Sequence, residues 1–178
     1  MGFAKDFVWG AATSSYQIEG TGRDSGKGQN IWDVFTKEPG RVYEGHTGDI
    51  ACDHYHRFRE DVAYMKELGL KGYRFSIDWS RVLPEGTGKV NEKGIDFYNA
   101  LIDELLEQGI EPYITLYHWE LPYEIYKRGG WMNPQIVEWF GEYAKLVAER
   151  FSDRVSHFFT LNEPQCFVGL GFLTGEHA

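Results

Sequence analysis

GYRFSI, residues 72–77, alternates in a way that predicts a strand and the kind of sheet that contains it. Side chains alternate along a strand, so Tyr73, Phe75 and Ile77 share one face, while Arg74 and Ser76 share the other. A sheet covered by helices on both faces would bury Arg74, which costs several kcal/mol unless the guanidinium is paired. The interior of a barrel near its mouth can accept such a polar face. The segment therefore favours a barrel over an open sheet.

The flanking sequence predicts an alternation of strands and helices. Strand-like runs cover residues 7–14, 72–77, 112–117 and 155–161. Helical patterns cover about residues 53–68, a segment from Asn91 as cap to Gly109, and a segment that begins with Asn133 as cap and Pro134 as first helical residue. This alternation is typical of a parallel sheet. We therefore predict a parallel (β/α)8 barrel of the TIM type, of which residues 1–178 supply about the first four strands as a half-barrel.

A nucleotide-binding α/β fold is a weaker alternative. The Gly-rich stretch GTGRDSGKG, residues 20–28, fits neither common phosphate-binding loop, because Ser25 stands where the third Gly of GxGxxG belongs.

The long connections follow the strands, whereas those that return from helix to strand are short. Active sites of barrels lie among the loops after the strands, and long loops in compact domains are often functional or mobile.

Composition excludes several classes of partner. The chain has 27 acidic and 18 basic residues, a net charge of −9 and no dense Lys/Arg run, so nucleic acid is not an expected partner. No stretch approaches the roughly 20 apolar residues of a membrane span, and the start, MGFAKDFVWG, lacks the regions of a signal peptide. We expect no membrane partner and a cytoplasmic location.

Metal and disulfide sites are not expected either. Cys52 and Cys166 are far apart and match no ligand spacing, which favours reduced structural thiols. In DHYH, residues 53–56, His54 and His56 are two residues apart and point to different faces of a helix. We therefore expect no metal and no cofactor.

Polar and aromatic residues accumulate where the predicted strands end. If the strands are parallel, their ends meet at one face. The candidates are Gln17 after the first strand, Arg74 in the second, His118 and Trp119 after the third, and Asn162 and Glu163 after the fourth. Read singly, each has an ordinary explanation: a Glu-Pro turn, loop caps, a structural histidine, a core tryptophan or a structural ion pair.

Five segments together give a more specific answer. FVWGAATSSYQIEG, YRFSIDWSRVLPEG, YITLYHWELP, GGWMNP and FFTLNEPQCF resemble, in order and spacing, the N-terminal half of the family 1 glycoside hydrolases, the β-glucosidase family. The resemblance implies a retaining β-glycosidase that acts on a β-glucoside or an oligosaccharide. It implies that Glu163 is the general acid/base, that Gln17, His118 and Asn162 bind sugar hydroxyls, that Trp119 lines the same subsite, and that Arg74 lies beside the nucleophile.

The chemistry of glycoside cleavage fits a carboxyl at the end of the fourth strand. A general acid must be protonated near neutral pH, and apolar walls raise the pKa of a carboxyl. We expect Phe158, Phe159 and the nearby tryptophans to supply such walls for Glu163. Pro164 disfavours helical backbone in the preceding residue, so we expect Glu163 to be extended.

The chain departs from the family pattern in three respects. The motif of the nucleophile belongs to the half of the barrel that the chain lacks, so a non-catalytic assembly module or sugar-binding fragment is an alternative function. Glu120 stands where the family usually has Asp. Asp78 stands where the family has a small residue, and we expect Asp78 to add a carboxylate beside Arg74.

A half-barrel leaves two strand edges unpaired. We expect these edges to bind a complementary C-terminal half or a second copy of the chain.

Overall fold

The computed structural model describes residues 2–22 and 24–178. Its strands are β1 (Gly10–Ala12), β2 (Gly72–Ser76), β3 (Glu111–Tyr117) and β4 (His157–Leu161). They form one parallel sheet in the order β1-β2-β3-β4. The prediction of four parallel strands in sequential order is confirmed.

Helices separate the strands. They are α1 (Ser15–Ile18), α2 (Ile31–Phe35), α3 (His54–Glu67), α4 (Trp79–Val82), α5 (Glu92–Glu107), α6 (Tyr123–Lys127), α7 (Ile136–Phe151) and α8 (Pro164–Cys166). Short 3₁₀ turns cover Tyr43–Gly45 and Gly130–Met132, and a π-helical segment covers Phe167–Leu173. The three predicted helices correspond to α3, α5 and α7. The predicted stops at Gly69 and Gly109 hold, because both glycines adopt the left-handed backbone that ends a helix.

The structure corrects the start of α7. The helix begins only at Ile136, with Gln135 rather than Asn133 in the cap position. The Asn133 side chain accepts a hydrogen bond from the Gln135 amide at 3.0 Å, within the turn before the helix. The residues before it form a tight turn, in which the Ile136 amide donates to the Asn133 carbonyl at 2.9 Å. Asn91 does occupy the cap position of α5, but its side chain donates to backbone carbonyls of neighbouring segments rather than capping the helix.

The first strand is also shorter than the predicted residues 7–14. β1 has a single neighbour in the described sheet, and only Gly10, Ala11 and Ala12 pair in register with β2. Beyond them the Trp9 carbonyl accepts from the Lys71 and Gly72 amides on one side, and the Thr13 amide donates to the Arg74 carbonyl on the other, before α1 begins.

The two faces of β2 differ as predicted. Tyr73, Phe75 and Ile77 are buried against the helices, at 0, 3 and 0% exposure. On the other face Arg74 is half-buried and makes no salt bridge among the described residues. This inner face continues into β4, where Phe159 and Leu161 remain 44 and 36% exposed. The sheet therefore has a packed outer face and an open inner face, like half of a barrel.

The long connection between α1 and α3 is packed rather than loose. Arg81, with 0% side-chain exposure, donates to Glu19 at 2.8 Å and so fixes the start of this connection to α4. Further along, Lys27 pairs with Asp33, whose carboxylate also closes the capping box of α2. The connection therefore forms a fixed wall above the ends of the strands. Among the described residues, no helix is both long and apolar enough to cross a membrane.

Candidate active site

The parallel strands bring the predicted side chains together at one end of the sheet. A cavity of about 390 Å³ is lined by Gln17, His118 and Trp119, which come from the connections after β1 and β3. Trp32 and Tyr16 line the same cavity. Asn162 and Glu163 follow β4 directly, and Asn162 contacts both His118 and Trp119. The predicted clustering of strand-end residues is thus present in the structure.

A row of hydrogen bonds fixes the orientation of three polar side chains. An Arg74 guanidinium N–H donates to Asn162 Oδ1 at 3.2 Å, so the Asn162 amide nitrogen faces His118 Nε2 at 3.1 Å. This arrangement makes Nε2 an acceptor and places the proton of the neutral imidazole on Nδ1. The backbone carbonyl of Asn162 accepts from the Trp119 indole at 2.9 Å. From the sequence alone, Arg74 could have belonged to a structural ion pair. In the structure it instead orients Asn162, a candidate sugar-binding residue.

His118 is held in its neutral form. Burial, together with the nearby Arg74 guanidinium, lowers the pKa of His118 to about 4. Its Nδ1 atom is buried and has no hydrogen-bond partner among the described residues. A neutral imidazole next to an amide carries no positive charge, which suits an uncharged polyol better than an anion.

The backbone of Glu163 differs from the prediction. Its φ of 44° and ψ of 63° are left-handed, not extended. The physical reason is the abrupt change from β4 to α8, since Pro164 already occupies the first turn of the helix and the reversal must occur at the residues before it. A left-handed conformation is unusual for a residue other than Gly, and such strain concentrates at functional sites.

The surroundings of Glu163 also differ from the prediction. The Glu163 side chain is exposed, so Phe158 and Phe159 do not enclose it. The Phe159 ring instead lies 5.7 Å from the Arg74 guanidinium. Glu163 accepts a hydrogen bond from the Cys166 thiol at 3.3 Å. Its exposure follows from the open inner face, because only β1 to β4 surround it.

Sequence reasoning missed Trp32 and His177, whose rings lie beside that of the predicted Trp119. The Trp32 and Trp119 rings stack with centroids 6.4 Å apart, and the His177 ring lies 5.7 Å from Trp119. Aromatic faces of this kind pack against the C–H faces of sugars. The capping box of Asn30 and Asp33 was the available signal for Trp32, because it predicts a short helix at that point of the connection.

The structure also corrects the predicted environment of Asp78. Asp78 is buried, but its partners are Ser80, Asn30 and Lys27 rather than Arg74. It caps α4 by accepting from the Ser80 amide. The extra carboxylate therefore lies toward the packed connection, not beside the inner face of the sheet.

The two histidines of DHYH have separate local partners. His54 Nδ1 lies 2.6 Å from Asp61, and His56 Nδ1 lies 2.6 Å from Asp53. Residues 2–22 and 24–178 contain no group of three or more His, Cys, Asp or Glu side chains that could hold a metal ion. Cys52 and Cys166 are both free thiols.

Comparisons with known proteins identify the family to which the chain is similar. The sequence model described as glycosyl hydrolase family 1 matches residues 1–178. The 1,4-beta-D-glucan glucohydrolase of Thermotoga neapolitana is 54% identical over 176 residues, covering 99% of this chain and 41% of the relative. Beta-glucosidase A of Thermotoga maritima is 53% identical over 176 residues, covering 99% of this chain and 40% of the relative.

Solved structures give the same answer. The family 1 β-glucosidase from Thermotoga maritima matches with a TM-score of 0.97 and 53% identity, over 99% of this chain and 40% of that one. The complex of that enzyme with deoxynojirimycin matches with a TM-score of 0.96, at the same identity and coverage. The four strands thus correspond to part of a (β/α)8 barrel. The chain spans about 40% of the length of the relatives it matches.

Proposed function

The chain belongs to glycosyl hydrolase family 1, and from that premise we propose that it is part of a retaining β-glycosidase in which Glu163 is the general acid/base. The observation that carries the proposal is the hydrogen-bonded row of Arg74, Asn162 and His118 beside Glu163. Such a row presents fixed donors and acceptors next to a carboxyl, which is the arrangement that glycoside cleavage requires.

In this proposal each residue has a defined part. Gln17, His118 and Asn162 bind hydroxyls of the sugar, and Trp119 packs against its C–H face. Asn162 donates to the 2-hydroxyl, a contact of the kind that strengthens as the oxocarbenium-like transition state forms. Glu163 protonates the leaving oxygen and then takes a proton from the attacking water.

A second carboxylate completes the mechanism. A retaining glycosidase needs a nucleophile about 5 Å from the acid/base. We place this residue in the part of the barrel outside the chain, on the side that Arg74 faces. Enclosure by that part would also surround Glu163, which is exposed here, and so favour the protonated acid. The substrate is a β-glucoside or an oligosaccharide, and a cytoplasmic location stays a prediction.

The partner that we propose is a complementary C-terminal half. β1 and β4 each have one neighbour among the described strands. Before β1, the rings of Phe3, Phe7 and Trp9 contact one another at centroid distances of 4.5 to 4.7 Å, yet they are 67, 45 and 52% exposed. Open edges and a pre-formed aromatic cluster suit further strands of the same barrel. Self-association of two copies would cover the same surfaces.

A non-catalytic assembly module or sugar-binding fragment is the second candidate function. The exposure of Glu163 favours it for the chain alone, since no apolar walls enclose the carboxyl there. The two candidates predict different behaviour once the barrel is complete.

The test combines this chain with the part of Thermotoga maritima beta-glucosidase A that it does not match. Light scattering first establishes whether a 1:1 assembly or a homodimer forms. We expect the assembly to hydrolyse an aryl β-glucoside with a poor leaving group, Glu163→Gln to reduce turnover of that substrate by about 10²-fold or more, and Glu142→Gln, which removes an exposed carboxyl on α7, to have no effect. A stable assembly without activity, or with activity that survives Glu163→Gln, would establish the non-catalytic alternative or another acid.

A further inference from the structure

Glu120 is a buried carboxyl that the proposed reaction does not use. It follows Trp119 in the turn between β3 and α6, and only 1% of its surface is exposed. Burying a carboxyl is costly unless hydrogen bonds satisfy its oxygens. Its position one residue from Trp119 and two from His118 makes its contacts relevant to the cavity.

The carboxyl of Glu120 connects three segments of the chain. Oε1 is hydrogen-bonded to the Ser15 hydroxyl at 2.6 Å and to the Ser76 hydroxyl at 3.2 Å. Oε2 accepts from the backbone amide of His118 at 3.1 Å. Ser15 opens α1, Ser76 ends β2, and His118 follows β3. One side chain thus joins the ends of three adjacent strands at the level of the cavity.

The turn that Glu120 closes is strained. Trp119 has a φ of 87°, in the left-handed region that bulky residues rarely adopt. Such a conformation persists only where surrounding contacts enforce it. Trp119 is held on one side by its indole bond to the Asn162 carbonyl at 2.9 Å, and on the other by the Glu120 bond to the preceding amide.

We propose that Glu120 is a positioning residue: its carboxyl ties the ends of β1, β2 and β3 and holds His118 and Trp119 in the orientation in which they line the cavity. That these side chains receive a sugar rests on the proposed function, whereas the tie itself does not. Ser15 is two residues before Gln17, so the same carboxyl also fixes the segment that carries the third lining residue.

The geometry identifies which substitution should preserve the three hydrogen bonds of residue 120. A glutamine at position 120 can accept from the His118 amide through its carbonyl, while its NH₂ group donates to the two serine hydroxyls, which can act as acceptors. Alanine removes all three bonds and leaves a cavity. Ser15→Ala removes the shortest of the three Glu120 bonds, together with the contact at 3.1 Å between the Ser76 and Ser15 hydroxyls. Ser25→Ala is its matched control, because Ser25 is an equally buried, hydrogen-bonded serine away from Glu120.

The experiment measures hydrogen exchange of indole N–H groups in the 178-residue chain by NMR. The Trp119 indole reports the cavity wall. The fully buried Trp79 indole, which donates to the Gly86 carbonyl at 2.9 Å, reports general opening of the domain. Substitution of each tryptophan by phenylalanine assigns its signal. Since no sugar is added, the result does not depend on the proposed function.

We expect Glu120→Ala to accelerate Trp119 exchange at least tenfold while Trp79 exchange changes less than twofold, and Glu120→Gln to stay close to the parent chain. Equal acceleration of both indoles would mean a general structural role and would overturn the proposal, as would unchanged Trp119 exchange. If Glu120→Ala does not fold, Ser15→Ala decides by the same criterion: selective acceleration of Trp119, absent in Ser25→Ala, supports the tie, and its absence refutes it.

Discussion

Replacing Glu120 by Gln should change how the stability of the chain depends on pH. Burial, with a contribution from the nearby Asp78 carboxylate, raises the pKa of Glu120 to about 8 from an ordinary value of 4.5. The folded state therefore holds a proton on Glu120 between these values, whereas the unfolded state has lost it. The stability contribution of this carboxyl is complete below about pH 4.5 and is lost as pH rises through about 8.

The magnitude follows from proton linkage. Each pH unit within this window removes about 1.4 kcal/mol from the wild-type stability, because the two states differ by one bound proton. Between pH 5.5 and 7.5 the loss should be about 3 kcal/mol. Glu120→Gln has no such proton, so the variant should gain that amount relative to the parent over this interval.

Other groups with shifted pKa values do not affect the difference in stability between the variant and the parent. Burial also raises the pKa of Glu19, and the lowered pKa of His118 makes stability rise with pH between about 4 and 6.5. Both groups remain in the variant, so their contributions cancel when the two proteins are subtracted. Glu67→Gln, which removes an exposed carboxyl near the end of α3, is the matched control.

The assay is urea unfolding at pH 5.5, 6.5 and 7.5 and constant ionic strength, followed by tryptophan fluorescence. With a slope of about 2 kcal/mol per M, the difference in midpoint between Glu120→Gln and the parent should move by about 1.5 M across the series. A midpoint difference that stays constant with pH would refute the reasoning, because it would mean that Glu120 titrates as an exposed carboxyl.

Three further predictions concern other groups. The NMR signals of His118 should show a titration midpoint near pH 4 and no change between pH 6 and 8, and a midpoint near 6.5 would contradict the burial of its ring. Arg81→Met should destabilise the chain by about 3–5 kcal/mol in urea unfolding, because it leaves the buried Glu19 unpaired, and a loss below 1 kcal/mol would contradict the burial of that pair. Glu163→Asn should raise stability by about 0.5–1 kcal/mol, because Asn tolerates left-handed backbone better, and no gain in unfolding free energy would show that the backbone there is unstrained.

Much of the architecture could be predicted from local sequence patterns. The alternation around Arg74 and the glycines that end α3 and α5 depend on neighbouring residues, so period and turn chemistry identified them correctly. The start of α7 was predicted wrongly, because Asn133 and Pro134 fit a tight turn as well as a helix cap. The length of β1 is set by how many of its residues pair with β2, which no local pattern contains.

The residues of the candidate site could be predicted from the sequence, but their geometry could not. Gln17, His118 and Trp119 were identified individually, and the structure places them around one cavity. The left-handed backbone of Glu163 was missed, because a proline restricts the preceding residue without specifying how the chain must turn into α8. The tie made by Glu120 joins residues up to 105 positions apart, so it becomes visible only in three dimensions.

The most direct test of the central claim is the dependence of hydrolysis on the leaving group. In the completed barrel, Glu163→Gln should slow the first step strongly for aryl β-glucosides with poor leaving groups and only slightly for those with very good ones, because the latter need no proton. The account predicts a rate ratio between parent and variant that grows steadily with the pKa of the leaving phenol. An equal loss across the whole series would contradict the assignment of Glu163 as the acid.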